Sequence, residues 1–211
     1  MPIKQPTETR RASLVAAALA LAAERSPAEV TTAALAQAVG ITQGAVFRHF
    51  ESKDAIWLAA IDLVQRELLA RLEAAADAQA QPLAALRAVF LAHVDFVVAH
   101  PGVPRIIFHE LQHPDDSPLK ARVRALMQAY RTLLGGVLRR AAAARELAPG
   151  TDLQAAAVLF IGSVQGLVMQ SLLSGQVGAM RRLAPPVFDL IQQALTTPTA
   201  TDQRHPEETP A

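Results

Sequence analysis

Cysteine is absent from this chain of 211 residues, which excludes disulfide bridges and metal sites built from thiolates. Aromatic residues are scarce as well, at 4% of the chain, although 51% of the residues are hydrophobic. The chain also lacks the runs of β-branched residues that are typical of strands, whereas alanine, a strong helix former, is abundant. The sequence therefore predicts an all-α protein that is long enough to bury a sizeable core.

An excess of positive charge is missing too. The formal net charge is +1 at pH 7, and the segment from Met1 to Asp54 carries six Lys or Arg residues against five Asp or Glu residues. Any binding of a nucleic acid by this segment must therefore depend on a few well-placed groups instead of a polybasic surface. A sequence-blind DNA-packaging protein is disfavoured for the same reason.

Residues 32–50 have the spacing of two short helices that cross at a tight corner. Thr32 is expected to cap the first helix, and Gly40 to end it in a left-handed conformation that glycine adopts without a Cβ clash. Thr42 is expected to cap the second helix, which the pattern predicts over residues 43–49. The spacing is typical of a helix-turn-helix, with a plain pair of packed helices as the alternative.

Many residues of the N-terminal quarter carry a resemblance to a known family. They are Arg11, Leu14, Ala17, Ala18, Leu21, Val30, Thr31, Leu35, Ala36, Val39, Gly40, Ile41, Thr42, Gly44, Phe47, His49, Phe50, Ser52 and Lys53. Together they resemble the DNA-binding head of the TetR/AcrR family of bacterial transcriptional regulators. The resemblance implies an all-helical fold of about nine helices, with a helix-turn-helix head at residues 1–54 and a body for ligand binding and dimerisation at residues 55–197.

Seven residues of the head are expected to meet DNA. The second short helix should enter the major groove, and Gln43 is the best candidate for direct reading of a base, for example adenine. Phe47 stands where the family usually has tyrosine, so it offers a phosphate van der Waals contact but no phenolic hydrogen bond. The base-facing set is Thr42, Gln43 and Gly44, and the phosphate-facing set is Thr32, Phe47, His49 and Lys53.

The N-terminus imitates an export signal. Arg10 and Arg11 precede the unbroken apolar run 14–23, as in a twin-arginine leader with its cleavage site. The competing interpretation is a buried first helix that packs against the two crossing helices. Cleavage after Ala22 would remove that support, so the helix-turn-helix favours a cytoplasmic protein.

The rest of the chain is divided by proline and glycine into helical segments. Ser52 is expected to cap a long helix that runs to about Gln79 and joins the head to the body. The further helices are predicted at residues 83–99, 104–112, 118–146, 153–173 and 186–195. The tail at residues 198–211 is rich in Thr, Pro and Glu and is expected to be disordered.

One short motif suggests an enzyme instead. Residues 109–113 match the H-E-x-x-H pattern, in which His109 and His113 would bind zinc and Glu110 would activate water. Pro114 stops the helix at once, and the third ligand would have to come from afar, with Glu146 as a candidate. A zinc-dependent hydrolase therefore remains the alternative, and no metal ligand is assigned.

Residues 153–180 contain no charged residue, and they include the spacing Gly162-x-x-x-Gly166. Length and spacing suggest a membrane helix, but recurring glutamines favour a helix that is buried by a second copy of the chain. A four-helix contact across a twofold axis is therefore expected. It would use Gly162, Ser163, Gly166 and Leu172 with Val187, Leu190, Ile191 and Leu195 of the last helix.

A ligand pocket is expected among the helices between residues 83 and 173. Its candidate lining residues are Phe90, His93, Phe96, Val97, Phe108, Tyr130 and Phe160. Their few polar groups favour an apolar ligand. The sequence thus predicts a homodimeric transcriptional regulator, interpreted as a repressor that a small apolar effector releases from a double-stranded DNA operator. No catalytic residue and no cofactor is assigned.

Overall fold

The computed structural model describes residues 7–197, and within that range the chain folds into nine α-helices. They are α1 (Thr7–Glu24), α2 (Thr32–Ala38), α3 (Gln43–Val46), α4 (Lys53–Asp77), α5 (Pro82–Ala99), α6 (Gly102–Leu111), α7 (Pro118–Ala143), α8 (Leu153–Ser174) and α9 (Ala179–Thr196), with a 3₁₀ turn at Pro27–Glu29. The predicted all-α class and helix number are confirmed. The tail predicted at residues 198–211 lies outside the described residues.

The head is built on a small closed core. Helices α1 to α3 and the first half of α4 pack around one apolar cluster, in which Leu14, Ala18 and Ala22 of α1 are fully buried. The apolar run near the N-terminus is therefore part of a core helix, with Leu14, Ala18 and Ala22 on its inner face. Trp57 of α4 is 5% exposed and belongs to the same cluster.

The cap of α2 differs from the prediction by one residue. Thr31, not Thr32, is the N-cap, and its hydroxyl accepts a hydrogen bond from the Ala34 N–H at 3.1 Å. The flanking apolar residues explain this register, because Val30 before the cap and Leu35 in the first turn are both fully buried in the head core. Such a pair fixes the angle at which the chain enters a helix. Thr32, in the first turn of α2, is half-buried.

The corner between α2 and α3 follows the prediction closely. Gly40 has φ +68°, and the N–H of Ile41 bonds to the Ala36 carbonyl at 2.9 Å, the 6→1 bond of a Schellman motif. Thr42 caps α3 by accepting from the Ala45 N–H at 3.3 Å. Helix α3 itself ends at Val46, earlier than predicted, because the chain tightens into i→i+3 turns that bring Phe50 into the core.

The body is a larger cluster of helices α5, α7, α8 and α9 with the second half of α4 and part of α6. Helix α9 begins at Ala179, seven residues before the predicted start, and holds Pro185 and Pro186 in its interior. The burial of Met180 and Ala184, each 1% exposed, offsets the backbone hydrogen bonds that the two prolines remove. The rule that proline ends a helix was wrong here because packing overrides it.

The end of α7 also differs from the prediction, and the residues that follow it contact the start of α5. The helix stops at Ala143, not near Glu146, and Arg145 adopts φ +59°. Glu146 thereby leaves the helix, and its carboxylate accepts from the Leu83 N–H at 2.7 Å. It supplies the first turn of α5 with an acceptor that the N-cap residue Gln81 does not provide.

Candidate nucleic-acid interface and internal cavity

The outer surface of α3 presents the residues that were expected to read bases. Thr42, Gln43 and Gly44 are exposed, and a Cβ built on Gly44 would meet nothing within 4 Å. Phe47 lies one turn after Gln43, and 51% of its surface is exposed. So large an exposed fraction is unusual for a phenylalanine. The polar Gln43 and the apolar Phe47 therefore lie side by side on the outward face of the corner.

Gln43 is not isolated on this surface. Its Nε2 donates a hydrogen bond of 2.8 Å to the Thr32 hydroxyl. The structure thus brings one expected base-facing residue and one expected phosphate-facing residue into direct contact. The bond also limits the rotamers that Gln43 adopts before any DNA arrives.

The other two expected phosphate contacts are less exposed. His49 is half-buried, and its Nδ1 lies inside the protein without a hydrogen-bond partner among residues 7–197. Lys53 is half-buried at the first position of α4, directly after the cap Ser52, whose hydroxyl accepts from the Ala55 N–H at 3.1 Å. The first turn of α4 therefore combines a cation with helix N–H groups, as anion contacts do.

Two arginines of α1 have a role that the sequence did not indicate. Arg10 donates to the Val39 carbonyl at the end of α2 at 3.1 Å. Arg11 donates to the His49 carbonyl after α3 and lies 4.1 Å from the centroid of the Phe50 ring. Both cations hold the C-terminal ends of the corner helices, where the helix dipole favours positive charge. Arg48, which is exposed beside Phe47, is a further cation on this surface that we did not expect as a contact.

The body contains an internal cavity of about 80 Å³ between α4, α5, α6, α7 and α8. Five expected residues line it, namely His93, Phe96, Val97, Phe108 and Tyr130. The other two do not: Phe90 and Phe160 pack edge to face at 5.2 Å and, with Phe188, form an aromatic cluster in the core. Lining residues that we missed include Val64, Leu68, Pro104, Ile107, Val164 and Gln165.

One hydrogen bond dominates the polarity of the cavity wall. The His93 Nδ1 and the Tyr130 hydroxyl lie 2.9 Å apart, with their rings edge to face. Burial lowers the pKa of His93 from 6.5 to about 4, and burial also raises the pKa of the Tyr130 hydroxyl. At neutral pH the pair is therefore uncharged.

Helix α6 lies between this cavity and the head. Its residues Pro104, Ile107 and Phe108 line the cavity, whereas Ile106 is buried in the head core. At its first residue, Gly102, an added Cβ would lie 2.2 Å from the Leu19 carbonyl oxygen of α1 and 2.9 Å from the Ala23 nitrogen. The backbones of α1 and α6 are thus in direct contact.

The residues of the H-E-x-x-H motif make other contacts in this fold. Glu110 is buried, and its carboxylate accepts a hydrogen bond from the Ser117 hydroxyl. His109 and His113 pack their rings against each other, with centroids 5.1 Å apart. Glu146, the candidate third ligand, is bound to the start of α5 instead. Residues 7–197 contain no group of three or more His, Cys, Asp or Glu side chains that would hold a metal ion.

Helices α8 and α9 share an exposed apolar face. On α8 it contains Val158, Gly162, Gly166, Met169 and Leu173, which recur every three or four residues, and on α9 it contains Leu183 and Leu190. The expectation that Ile191 and Leu195 would join this face was wrong, because both are buried in the body core. Leu172 and Val187 are half-buried beside it.

The membrane interpretation of α8 is weakened by its packing. Helices α5 and α8 are both long enough and apolar enough to cross a membrane, but 39% of the residues in each apolar window are buried inside the protein. Both helices supply side chains to the body core, including Phe90 and Phe160. Two such helices are what a soluble helical core contains.

Comparison with known proteins agrees with this geometry. Residues 14–60 match the model for bacterial regulatory proteins of the tetR family, and residues 109–185 match the model for a tetracyclin repressor-like C-terminal domain. The nucleoid occlusion factor SlmA of Alteromonas mediterranea is 30% identical over 149 residues, which cover 70% of this chain and 74% of that protein.

Solved structures show the same fold at lower identity. The transcriptional regulator FadR from Bacillus subtilis, solved in complex with stearoyl-CoA, superposes with a TM-score of 0.76 at 18% identity, covering 87% of this chain and 98% of that one. SmeT, the repressor of the Stenotrophomonas maltophilia multidrug efflux pump SmeDEF, gives a TM-score of 0.70 at 22% identity, covering 95% and 97%. With both the head and the body matched by family models, the chain belongs to the TetR family of bacterial transcriptional regulators.

Proposed function

We propose that this regulator is a cytoplasmic homodimeric repressor whose head binds an operator and leaves it when a small apolar effector enters the cavity of the body. The observation that carries the proposal is the position of α6, which lines the cavity on one side and touches the backbone of α1 on the other. Members of this family are regulators and not enzymes, and we assign the chain no catalytic role.

The DNA-binding half of the proposal uses the exposed face of α3. Gln43 is proposed to read a base in the major groove, with Thr42 and Gly44 beside it. Lys53 and Thr32 are proposed to contact phosphates, and Phe47 to pack against the backbone of the DNA. Because the net charge of the head is small, these few groups must supply most of the affinity.

Dimerisation is proposed through the exposed apolar face of α8 and α9. A Cβ added to Gly162 or to Gly166 would meet nothing within 4 Å, so a second helix has room to approach closely there. A twofold contact would hold two α3 helices about one turn of DNA apart, about 34–36 Å, as palindromic operators require.

The size of the cavity supports a mechanism for release. Its volume of about 80 Å³ is well below the roughly 300–1,000 Å³ of typical ligand pockets. An effector must therefore widen the cavity, and the displaced wall includes α6. Since Gly102 leaves no free space between α6 and α1, displacement of α6 would change the orientation of the head and the separation of the two reading helices.

The chemistry of the cavity supports an apolar effector, because among residues 7–197 only His93, Tyr130 and Gln165 contribute polar side chains to its wall. Two structural neighbours support parts of this proposal: FadR was solved with stearoyl-CoA, whose acyl chain is apolar, and SmeT is named as a repressor.

The first experiment measures equilibrium binding of the purified full chain to DNA from upstream of its own gene, over a salt series and against unrelated competitor DNA. Binding that survives the competitor is expected, and apolar compounds are then screened for release of the protein from that DNA. Equal binding to both DNAs, or release by none of the compounds, would contradict the operator and effector parts of the proposal respectively.

Nucleoid occlusion is a second candidate function, favoured by the 30% identity to SlmA over 74% of that protein. A deletion strain separates the two functions. Altered transcription of neighbouring genes with normally placed division septa supports the repressor, whereas septa that form across nucleoids support the second candidate.

A further inference from the structure

Thr32 differs from the other hydroxyl residues around the corner of the head, because in the described chain its hydroxyl caps no helix. Thr31, Thr42 and Ser52 each accept a hydrogen bond from a backbone N–H at the start of a helix. The Thr32 hydroxyl instead accepts from the Nε2 of Gln43 at 2.8 Å. Its polar group is therefore bound to the side chain that we propose as the base reader.

The backbones that carry Thr32 and Gln43 are fixed relative to each other. Thr32 is the first residue of α2, and Gln43 is the first residue of α3. The corner between the two helices is closed by the 2.9 Å bond from the Ile41 N–H to the Ala36 carbonyl. The mobile part of the pair is therefore the long side chain of Gln43.

Thr32 is a suitable anchor for such a side chain. It is β-branched, which restricts its χ1 angle, and it is half-buried, whereas Gln43 is exposed. Every base pair presents hydrogen-bonding groups in the major groove, so a glutamine that reorients freely finds a partner on several of them. A glutamine held by its amide nitrogen has fewer orientations available, and it pairs with fewer bases. Discrimination between bases depends on this difference.

The hydroxyl of Thr32 keeps one proton to donate after it accepts from Gln43. Thr32 is also a proposed phosphate contact, and a phosphate oxygen accepts such a proton. Hydrogen bonds that share a group polarise one another, so a hydroxyl that donates to an anion becomes a better acceptor. Contact with the DNA backbone would therefore strengthen the bond that orients Gln43.

We propose that Thr32 is a positioning residue for base recognition, whose hydroxyl orients the amide of Gln43. This inference rests on the proposed function, since it concerns how the proposed base reader is held. A phosphate contact alone would add the same affinity for every sequence. A positioning residue also changes the discrimination at the one base pair that Gln43 reads.

The test uses the full-length protein and a pool of DNA duplexes with a randomised centre, from which the wild type selects its sites. The base pair at which Gln43→Ala loses its preference is the one that Gln43 reads. There we expect Thr32→Val, which keeps the shape of the side chain, to lower discrimination by about three- to tenfold, the effect of one hydrogen bond. Preferences at the other base pairs should not change.

The controls separate the hydroxyl from the rest of the side chain. Thr32→Ser keeps the hydroxyl and should keep most of the discrimination. Thr32→Ala is a second variant without the hydroxyl, and it should behave as Thr32→Val does. In a Gln43→Ala background, Thr32→Val should have no further effect on discrimination, although it should still weaken binding to all sequences. Thermal unfolding of each variant checks that the head is folded.

Two outcomes would overturn the inference alone: Thr32→Val weakens binding to all sequences equally while Gln43→Ala loses its preference, or the effect of Thr32→Val on discrimination persists in the Gln43→Ala background. If Gln43→Ala loses its preference at no base pair, the proposed base reading is wrong as well. The failure of the inference is thus distinguishable from the failure of the proposed function.

Discussion

The head and the body of this protein differ in how completely their helices are packed. The head closes a small core, and its two corner helices are held by caps, by a left-handed glycine and by two arginines that bind helix ends. The body buries more side chains, yet it keeps an internal cavity and an exposed apolar face. The comparison suggests that the head preserves one geometry, whereas the body is built to be completed by other molecules.

The largest effect should come from charging the face that the body leaves uncovered. Leu173 is 74% exposed on α8, and Leu173→Lys would place a lysine on both sides of a twofold contact. We expect the dimer dissociation constant to rise by about a hundredfold or more, as for a central interface residue. Analytical ultracentrifugation measures it. Leu111→Lys, at a leucine that is 53% exposed on α6, is the control, and equal effects of the two substitutions would contradict this interface.

The joint between head and body should be nearly as sensitive. Gly102→Ala places a Cβ 2.2 Å from a backbone oxygen of α1, so the helices must move apart. We expect a loss of about 3 kcal/mol in the free energy of unfolding, at the upper end of overpacking effects. In contrast, Gly136→Ala in α7 meets nothing within 4 Å and should stabilise the helix by about 0.5–1 kcal/mol. Urea unfolding of both variants checks this, and similar behaviour of the two glycines would contradict the close contact.

The cavity gives the body a pH dependence. Because burial lowers the pKa of His93 from 6.5 to about 4, the unfolded chain takes up a proton below pH 6.5 that the folded chain does not. The free energy of unfolding should therefore fall as the pH drops from 6.5 to 4, by about 3 kcal/mol in all from this residue. His93→Gln should flatten that slope in urea titrations at several pH values. His113→Gln changes an exposed histidine and should keep the wild-type slope. Loss of the slope in that variant would contradict its assignment to His93.

Changes on the outer surface of the head should have the smallest effects, and these should separate sequence recognition from general attraction. Gln43→Ala should reduce discrimination between the operator and a mismatched site by about 1–3 kcal/mol. Lys53→Ala should weaken binding to all sequences alike and lower the slope of log affinity against log salt by about one. Fluorescence anisotropy over a salt series measures both. If Gln43→Ala weakens matched and mismatched DNA equally, Gln43 does not read a base.

The sequence predicted the head better than the body because the signals of the head are local. Gly40 and Thr42 act on backbone groups within a few residues, so their roles can be inferred from spacing. The shift of the cap from Thr32 to Thr31 depended on where Val30 is buried, which spacing alone does not reveal. The contacts of Arg10 and Arg11 span about thirty or more residues of chain, so no local pattern indicated them.

The body depends on packing between distant helices, and there prediction from the sequence was weaker. Hydrophobic residues marked the helices, but not which of their faces would be inside, so Ile191 was assigned to the exposed face although it is buried. The same limit affects the cavity: Phe90 and Tyr130 are both buried aromatics, and only the fold decides that Tyr130 reaches the wall whereas Phe90 packs against Phe160. The proline pair in α9 misled the prediction because burial outweighed two missing hydrogen bonds.

The contact at Gly102 also has a consequence for how this protein can evolve. The residues that we propose to face DNA and the residues that line the cavity lie on opposite sides of this contact, so each group is free to change without the other. New operators and new effectors can thus be acquired independently by descendants of this chain. Gly102 has no such freedom, because any side chain at this position meets the backbone of α1. A substitution in α1 would not remove that backbone. We therefore expect position 102 to change more slowly during divergence than the surfaces it connects.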